Sequence, residues 1–217
     1  MTIEFAIAWD AEQTVTAILY RMGAPLVVFA HGAGTDQRHP MVTGVARALA
    51  DAGHGVVTFN YPYTEAGRRA PDRAPKLLAC HRAVIADAHR RSGVAPIVAG
   101  RSMGGRMATM LAAEGADVAG VVCLAYPLHP PGKPERLRIE HLPAIDVPML
   151  FFQGSRDSLS RSDLFDRHVR PLPTASVVDM DGADHSFRGR GWDPERVQET
   201  VVAGYETWVR AIADGDR

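Results

Sequence analysis

The chain has 217 residues, with 24 Lys plus Arg against 25 Asp plus Glu and a formal net charge of -1. That length suits one substantial domain over residues 1–217, burying roughly 70% of the surface its unfolded form exposes, and the near balance of charge excludes a global field for nucleic acid or an anionic membrane. No apolar run approaches the ~20 residues of a membrane span, the amino terminus lacks a basic segment followed by an apolar core, and Cys80 and Cys123 lack metal-ligand spacing and read as reduced, buried small side chains, so the expected setting is the cytoplasm.

Residues 3–9 and 15–20 alternate apolar and polar positions around Asp10-Ala11-Glu12-Gln13, the pattern of two short strands joined as a hairpin. The pattern then changes. Residues 26–30, 56–59, 97–99, 121–124 and 149–152 are continuous apolar runs of the kind covered on both faces in a parallel sheet, and residues 175–180 form a further strand. Between and after them, residues 42–52, 76–91, 106–114 and 195–213 carry helical spacing, the last with Val197, Val201, Tyr205, Trp208, Val209 and Ile212 on one side. This alternation predicts an α/β fold, a twisted and mostly parallel sheet covered by helices on both faces through right-handed crossovers. Two stretches rich in Pro, residues 60–75 (with Gly and Arg) and 126–148, read as long irregular excursions after strand carboxyl ends, where open α/β sheets place ligands.

Residues 95–99 read as a buried strand and residues 106–113 as a helix, and between them stands Gly100-Arg101-Ser102-Met103-Gly104. G-x-S-x-G between strand and helix holds a serine on a sharp, strained turn, with glycines where side chains would collide. A serine hydroxyl is a poor nucleophile at neutral pH and needs a base and a group to orient that base. Asp157 follows the strand at 149–152 and His185 follows the strand at 175–180. The order Ser102, Asp157, His185, each after a successive strand, is that of a strand-borne catalytic triad. Asp163, Asp179 and Asp181 compete with Asp157. A capping serine, a turn aspartate and an ordinary loop histidine are the plain alternatives.

Acyl transfer passes through an oxyanion that needs pre-aimed donors. The backbone amide of Met103 opens the helix, and the glycines of His31-Gly32-Ala33-Gly34 allow a second amide, that of Ala33 with Gly34 as fallback. His31 reads as a brace for this loop. His129 and His141 lack the close pairing of a zinc site, so neither a metal nor any other cofactor is expected. Gly34, Tyr61, Tyr126, Leu128 and Phe187 are candidate substrate contacts. Arg68, Arg69, Arg73, Arg101, Arg106, Arg156 and Arg188 fit either a cationic rim for an acidic substrate or a solvated face with partners such as Glu65 and Asp72.

On these residues the chain resembles the alpha/beta-hydrolases, close to the dienelactone-hydrolase-like group. Within that group Gly100-Arg101-Ser102-Met103-Gly104-Gly105-Arg106, Asn60-Tyr61-Pro62-Tyr63, Gly67-Arg68-Arg69-Ala70-Pro71-Asp72 and residues 126–134 are similar to the small testis-expressed and NSL-complex hydrolase-like proteins. The resemblance runs from about the third strand to the last helix. It implies an alpha/beta-hydrolase fold with an eight-stranded sheet, and hydrolysis of a carboxylic ester or related acyl compound. Dienelactone hydrolase proper carries cysteine where this chain has Ser102, so its lactone substrate does not transfer. The chain is short for the fold, leaving little room for a cap domain. A thioesterase, amidase or acyltransferase with the same three residues, or a non-catalytic binding module, is the alternative reading. The partner expected is a small-molecule acyl substrate.

Overall fold

The computed structural model describes residues 2–215. Its strands are β1 (Ile3–Ala8), β2 (Thr14–Arg21), β3 (Leu26–Ala30), β4 (Gly55–Phe59), β5 (Ile97–Arg101), β6 (Gly120–Leu124), β7 (Met149–Gly154) and β8 (Ala175–Met180). They form one eight-stranded sheet in the order β1-β2-β4-β3-β5-β6-β7-β8. β1 and β2 make the expected antiparallel hairpin, its turn closed by the Asp10 carboxylate accepting from the amides of Glu12 and Gln13. β2 also runs antiparallel to β4, and from β4 to β8 every pairing is parallel.

The helices are α1 (Pro40–Asp51), α2 (Pro62–Glu65), α3 (Ala74–Ser92), α4 (Met103–Ala113), α5 (Ser162–His168) and α6 (Pro194–Asp214). Because strand side chains alternate with period two, the apolar runs split into two cores. Val28, Val98, Val121, Cys123 and Phe151 pack under α3 and α4 against Leu77, Val84, Met107 and Leu111. Val27, Phe29, Ala99, Val122 and Phe152 face the other way, against Val42, Val45 and Leu49 of α1 and Val201, Tyr205 and Trp208 of α6. A strand buried on both faces reads as one unbroken apolar run, as β3 and β6 do here, while β4 departs from it only at Thr58. Among the described residues no large cap domain sits over the sheet.

The excursions prove more ordered than their proline content predicts. The first contains the one-turn helix α2 and the start of α3, the second a short 3-10 turn at Leu142–Ala144, and α5 was not anticipated at all. α2, the 3-10 turn and α5 are too short to display a period, and Pro sits in the first turn of α2, α3 and the 3-10 turn, where the missing N–H removes nothing. Both excursions nevertheless leave strand carboxyl ends, β4 and β6.

Two neutral imidazoles are buried near this part of the fold, His81 on α3 and His31 just after β3. His81 is fully buried beside the Tyr61 hydroxyl, 3.1 Å from its Nδ1, and burial pushes its pKa down to about 3. Burial likewise pushes His31 down to about 4. For a base with a depressed folded-state pKa, the unfolded chain binds the proton first. Stability is therefore complete above about pH 6.5 and declines as pH falls from there toward the folded values. Urea denaturation of His81→Phe, compared with wild type at pH 7.5 and pH 5, is expected to show a smaller loss between the two pH values. An equal loss would show that His81 is not the titrating group.

Candidate active site

Three strand ends meet at the carboxyl edge of the sheet. Ser102 follows β5 directly and has φ 49° and ψ -112°, a backbone region non-glycine residues rarely occupy. Its amide donates to the Leu124 carbonyl at 2.9 Å, pinning the turn to β6. The flanking glycines make the turn possible by close approach: a Cβ on Gly100 would lie 2.2 Å from the Gly104 carbonyl carbon, and one on Gly104 would lie 2.6 Å from the Ala30 oxygen.

The Ser102 hydroxyl lies 2.9 Å from His185 Nε2, and His185 Nδ1 lies 2.8 Å from Asp157 Oδ2. An ionised carboxylate only accepts, so Nδ1 carries the hydrogen and Nε2 is free to accept the serine proton. Asp157 is 4% exposed, and its second oxygen accepts from the Leu159 amide at 2.7 Å. The three residues predicted from strand order are thus brought together, whereas the competing carboxylates are engaged elsewhere: Asp163 with Arg161, Asp179 with Arg170, and Asp181 with the Ser155 hydroxyl.

The loops bearing Asp157 and His185 are tied to each other. The Arg156 amide donates to the Ala183 carbonyl at 2.9 Å and the Ser155 hydroxyl accepts from the Gly182 amide at 2.8 Å; within the His185 loop, the Asp184 carboxylate accepts from the amides of Ser186 and Arg188. Gln153, buried at the end of β7, holds the Asp157 loop through the carbonyl and hydroxyl of Ser160. None of these supports was singled out from sequence, since Ser and Gln at loop starts carry no distinctive pattern.

The two candidate donor amides differ in how they are set. That of Met103 belongs to the first turn of α4 and has no partner within the helix. That of Ala33 is aimed by its neighbour: the Gly32 carbonyl accepts from His31 Nδ1 at 2.9 Å, the Thr35 hydroxyl at 2.9 Å and the Tyr63 hydroxyl at 3.3 Å. In a trans peptide the following N–H points opposite to the carbonyl, so these three donors turn the Ala33 amide away from themselves. Gly32 backs onto Ser102, where a Cβ on it would come within 3.8 Å of the serine Cβ. The fallback Gly34 has φ 70°. His31 braces the loop as expected, and its tautomer is fixed because Nε2 accepts from the Tyr61 amide at 3.2 Å. Tyr63 and Thr35 were missed; Tyr63 stood in the Asn60-Tyr61-Pro62-Tyr63 motif without an assigned part.

Most of the residues expected to line a substrate pocket pack elsewhere. Tyr61 spends its hydroxyl on His81, Tyr126 donates to the Arg138 carbonyl at 2.6 Å and packs on Phe151, and Leu128 is wholly buried in the core. Aromatic residues after strand ends look alike in sequence whether they face ligand or core. Phe187 does line a cavity, described below. His129 and His141 lie apart on different partners, the Arg161 amide and the Thr109 hydroxyl. Of the arginines, Arg68 is paired with Asp72.

Residues 23–212 match the alpha/beta hydrolase domain family. Among solved structures, a lidless alpha/beta serine hydrolase from Xanthomonas campestris superposes with a TM-score of 0.74 at 18% identity, covering 95% of this chain and 94% of that one. The esterase domain of a Rhodothermus marinus protein gives 0.70 at 18%, covering 96% and 99%. Dienelactone hydrolase from Anabaena variabilis gives 0.70 at 20%, covering 95% and 98%.

The packing at Gly104 opposes its helix propensity. Gly→Ala inside a helix ordinarily stabilises by about 1 kcal/mol, but a methyl group against the Ala30 oxygen overpacks the elbow, which costs about 1–3 kcal/mol. Urea denaturation of Gly104→Ala is expected to show net destabilisation; a more stable variant would mean the close approach is not rigid.

Proposed function

The chain belongs to the alpha/beta hydrolase domain family, and we propose that within it this protein is a serine hydrolase cleaving a carboxylic ester through an acyl-enzyme intermediate. The observation that carries the reading is the unbroken relay from Ser102 Oγ to His185 Nε2 and from His185 Nδ1 to a buried Asp157. His185 removes the serine proton as Oγ attacks the acyl carbonyl carbon, and Asp157 holds the ring and its developing charge. The carbonyl oxygen, now an oxyanion, is met by the amides of Met103 and Ala33, each such donor being worth about 3–4 kcal/mol in the transition state. The tetrahedral species collapses as His185 returns the proton to the leaving oxygen, and water repeats the sequence to release the acid.

All these parts are protein groups, so the proposed cycle calls on no metal or organic cofactor. Among the described residues no cap domain covers this edge of the sheet, which favours small or exposed acyl substrates over long chains. Kinship with the small testis-expressed and NSL-complex hydrolase-like proteins belongs to the same proposal and rests on the motifs at residues 60–63 and 100–106. So does a cytoplasmic setting. It rests on two free thiols, Cys80 and Cys123, both buried and with pKa values pushed up by that burial. Among the described residues no helix is long and apolar enough to cross a membrane.

A fluorophosphonate probe is expected to label Ser102, with labelling abolished in Ser102→Ala and His185→Ala. Asp157→Asn, which reverses the polarity of the bond to Nδ1, is expected to lower kcat by about 10^4 while leaving the fold intact by circular dichroism. Matched ester, thioester and amide substrates then rank the leaving group. Wild-type protein that resists the probe and turns over none of the three would defeat the reading.

A further inference from the structure

Arg101 and Ser186, the sequence neighbours of Ser102 and His185, both line a cavity of about 230 Å³. Its apolar lining comes from Met41, Phe187, Trp192 and Val197, and its polar lining includes Arg101, Arg188 and His39. The volume falls below the about 300–1,000 Å³ of pockets for drug-sized ligands, so it suits a short segment of a few carbons.

The two guanidiniums of this cavity make no direct ion pair. Among the described residues neither Arg101 nor Arg188 has a carboxylate within ion-pairing distance. Arg101 Nη2 reaches only neutral oxygens, the Ser186 hydroxyl at 3.3 Å and the His185 carbonyl at 3.4 Å, and its Nε is buried without any hydrogen-bond partner. The carboxylates that act on Arg101 from a distance hold other partners: Asp157 is bonded to His185 and the Leu159 amide, and Asp184 accepts from the amides of Ser186 and Arg188, while Asp193, which lines the cavity, accepts from the Arg196 amide at 2.8 Å. Arg196 itself donates to the Gly191 carbonyl and lies over the Trp192 ring. Burial, with Arg101 next, holds His39 below its ordinary pKa, so it adds a neutral imidazole rather than a third charge. A partly buried guanidinium with an unmet donor is a costly arrangement unless a partner arrives. Its planar fork matches a carboxylate.

We propose that this cavity is a specificity subsite for a carboxylate on the substrate, held between Arg101 and Arg188 with its short apolar segment against Phe187 and Trp192. The ester cleaved at Ser102 is then the monoester of a short dicarboxylic acid, or an acyl ester whose alcohol half bears the carboxylate. The inference rests on the hydrolase reading above. It resolves the two meanings open for the arginines in sequence: Arg68 belongs to a solvated ion pair, and Arg101 with Arg188 to the site.

Two matched pairs of esters test it: p-nitrophenyl hemiglutarate against p-nitrophenyl valerate, and p-acetoxyphenylacetate against p-tolyl acetate. In at least one pair kcat/KM is expected to favour the charged ester by about tenfold or more, as one charge-assisted hydrogen-bonded contact allows. Arg101→Met and Arg188→Met should each bring that ratio close to one, and Arg188→Glu should invert it. Because the ratio is read within each variant, any general loss of activity cancels. A wild-type ratio near one in both pairs, or a ratio untouched in Arg188→Met, overturns the subsite. Calorimetry on Ser102→Ala separates this failure from that of the hydrolase itself, using monomethyl glutarate against dimethyl glutarate. Selective binding of the charged ligand, abolished by Arg188→Glu, upholds the subsite even if no ester is hydrolysed. Neutral-ester turnover with no charged-ligand preference sinks the subsite alone.

Discussion

The backbone of Ser102 occupies a conformation that costs of order 1–3 kcal/mol for a residue with a side chain, and the surrounding fold is built to hold it there. Its amide is tied to β6, Gly100 and Gly104 come close enough that neither tolerates a methyl group, and α4 starts one residue later. The strain lifts the hydroxyl out of the sheet edge toward His185, one residue before the first amide of α4. Were the turn to relax, the hydroxyl and that amide would separate together.

Around this turn the sheet acts as a ruler. Parallel neighbours β5, β6, β7 and β8 end on the same side, so loops leaving β5, β7 and β8 converge although Ser102 and His185 are 83 positions apart. Convergence of strand ends sets only the neighbourhood. The final ångström comes from polar ties between loops: Arg156 to Ala183, Ser155 to Gly182, and three hydrogen bonds on the Gly32 carbonyl. The neutrality of His31 matters here. As a neutral imidazole it accepts from Tyr61 and donates to Gly32 at once, whereas a protonated ring would lose the first of these bonds.

What could be read from sequence follows from how strongly each feature constrains residue type. Strands buried on both faces leave apolar runs, and the amphipathic faces of α1 and α6 leave a helical period, so the succession of strands and helices along the chain is legible in the sequence, whereas the exchange of β3 and β4 within the sheet leaves no mark in it. Ser102, Asp157 and His185 were legible because each sits just past a strand, in a known order. Short elements were not: α5 buries one residue fully, Phe165, and leaves no period to detect. Nor could sequence separate a core aromatic from a pocket aromatic. Tyr61 and Phe187 each follow a strand end, yet one hydroxyl meets His81 on α3 and the other ring lines the cavity. That difference is set by loop geometry several residues away.

The central claim is that the nucleophile, its base and two backbone donors are already in place before substrate binds. A crystal structure of the protein after reaction with a phosphonate ester tests it most directly. The account predicts phosphorus bonded to Ser102 Oγ, a phosphoryl oxygen within about 3 Å of the Met103 and Ala33 amides, and His185 still on Asp157. A phosphoryl oxygen pointing to solvent, with those amides unengaged, would contradict it.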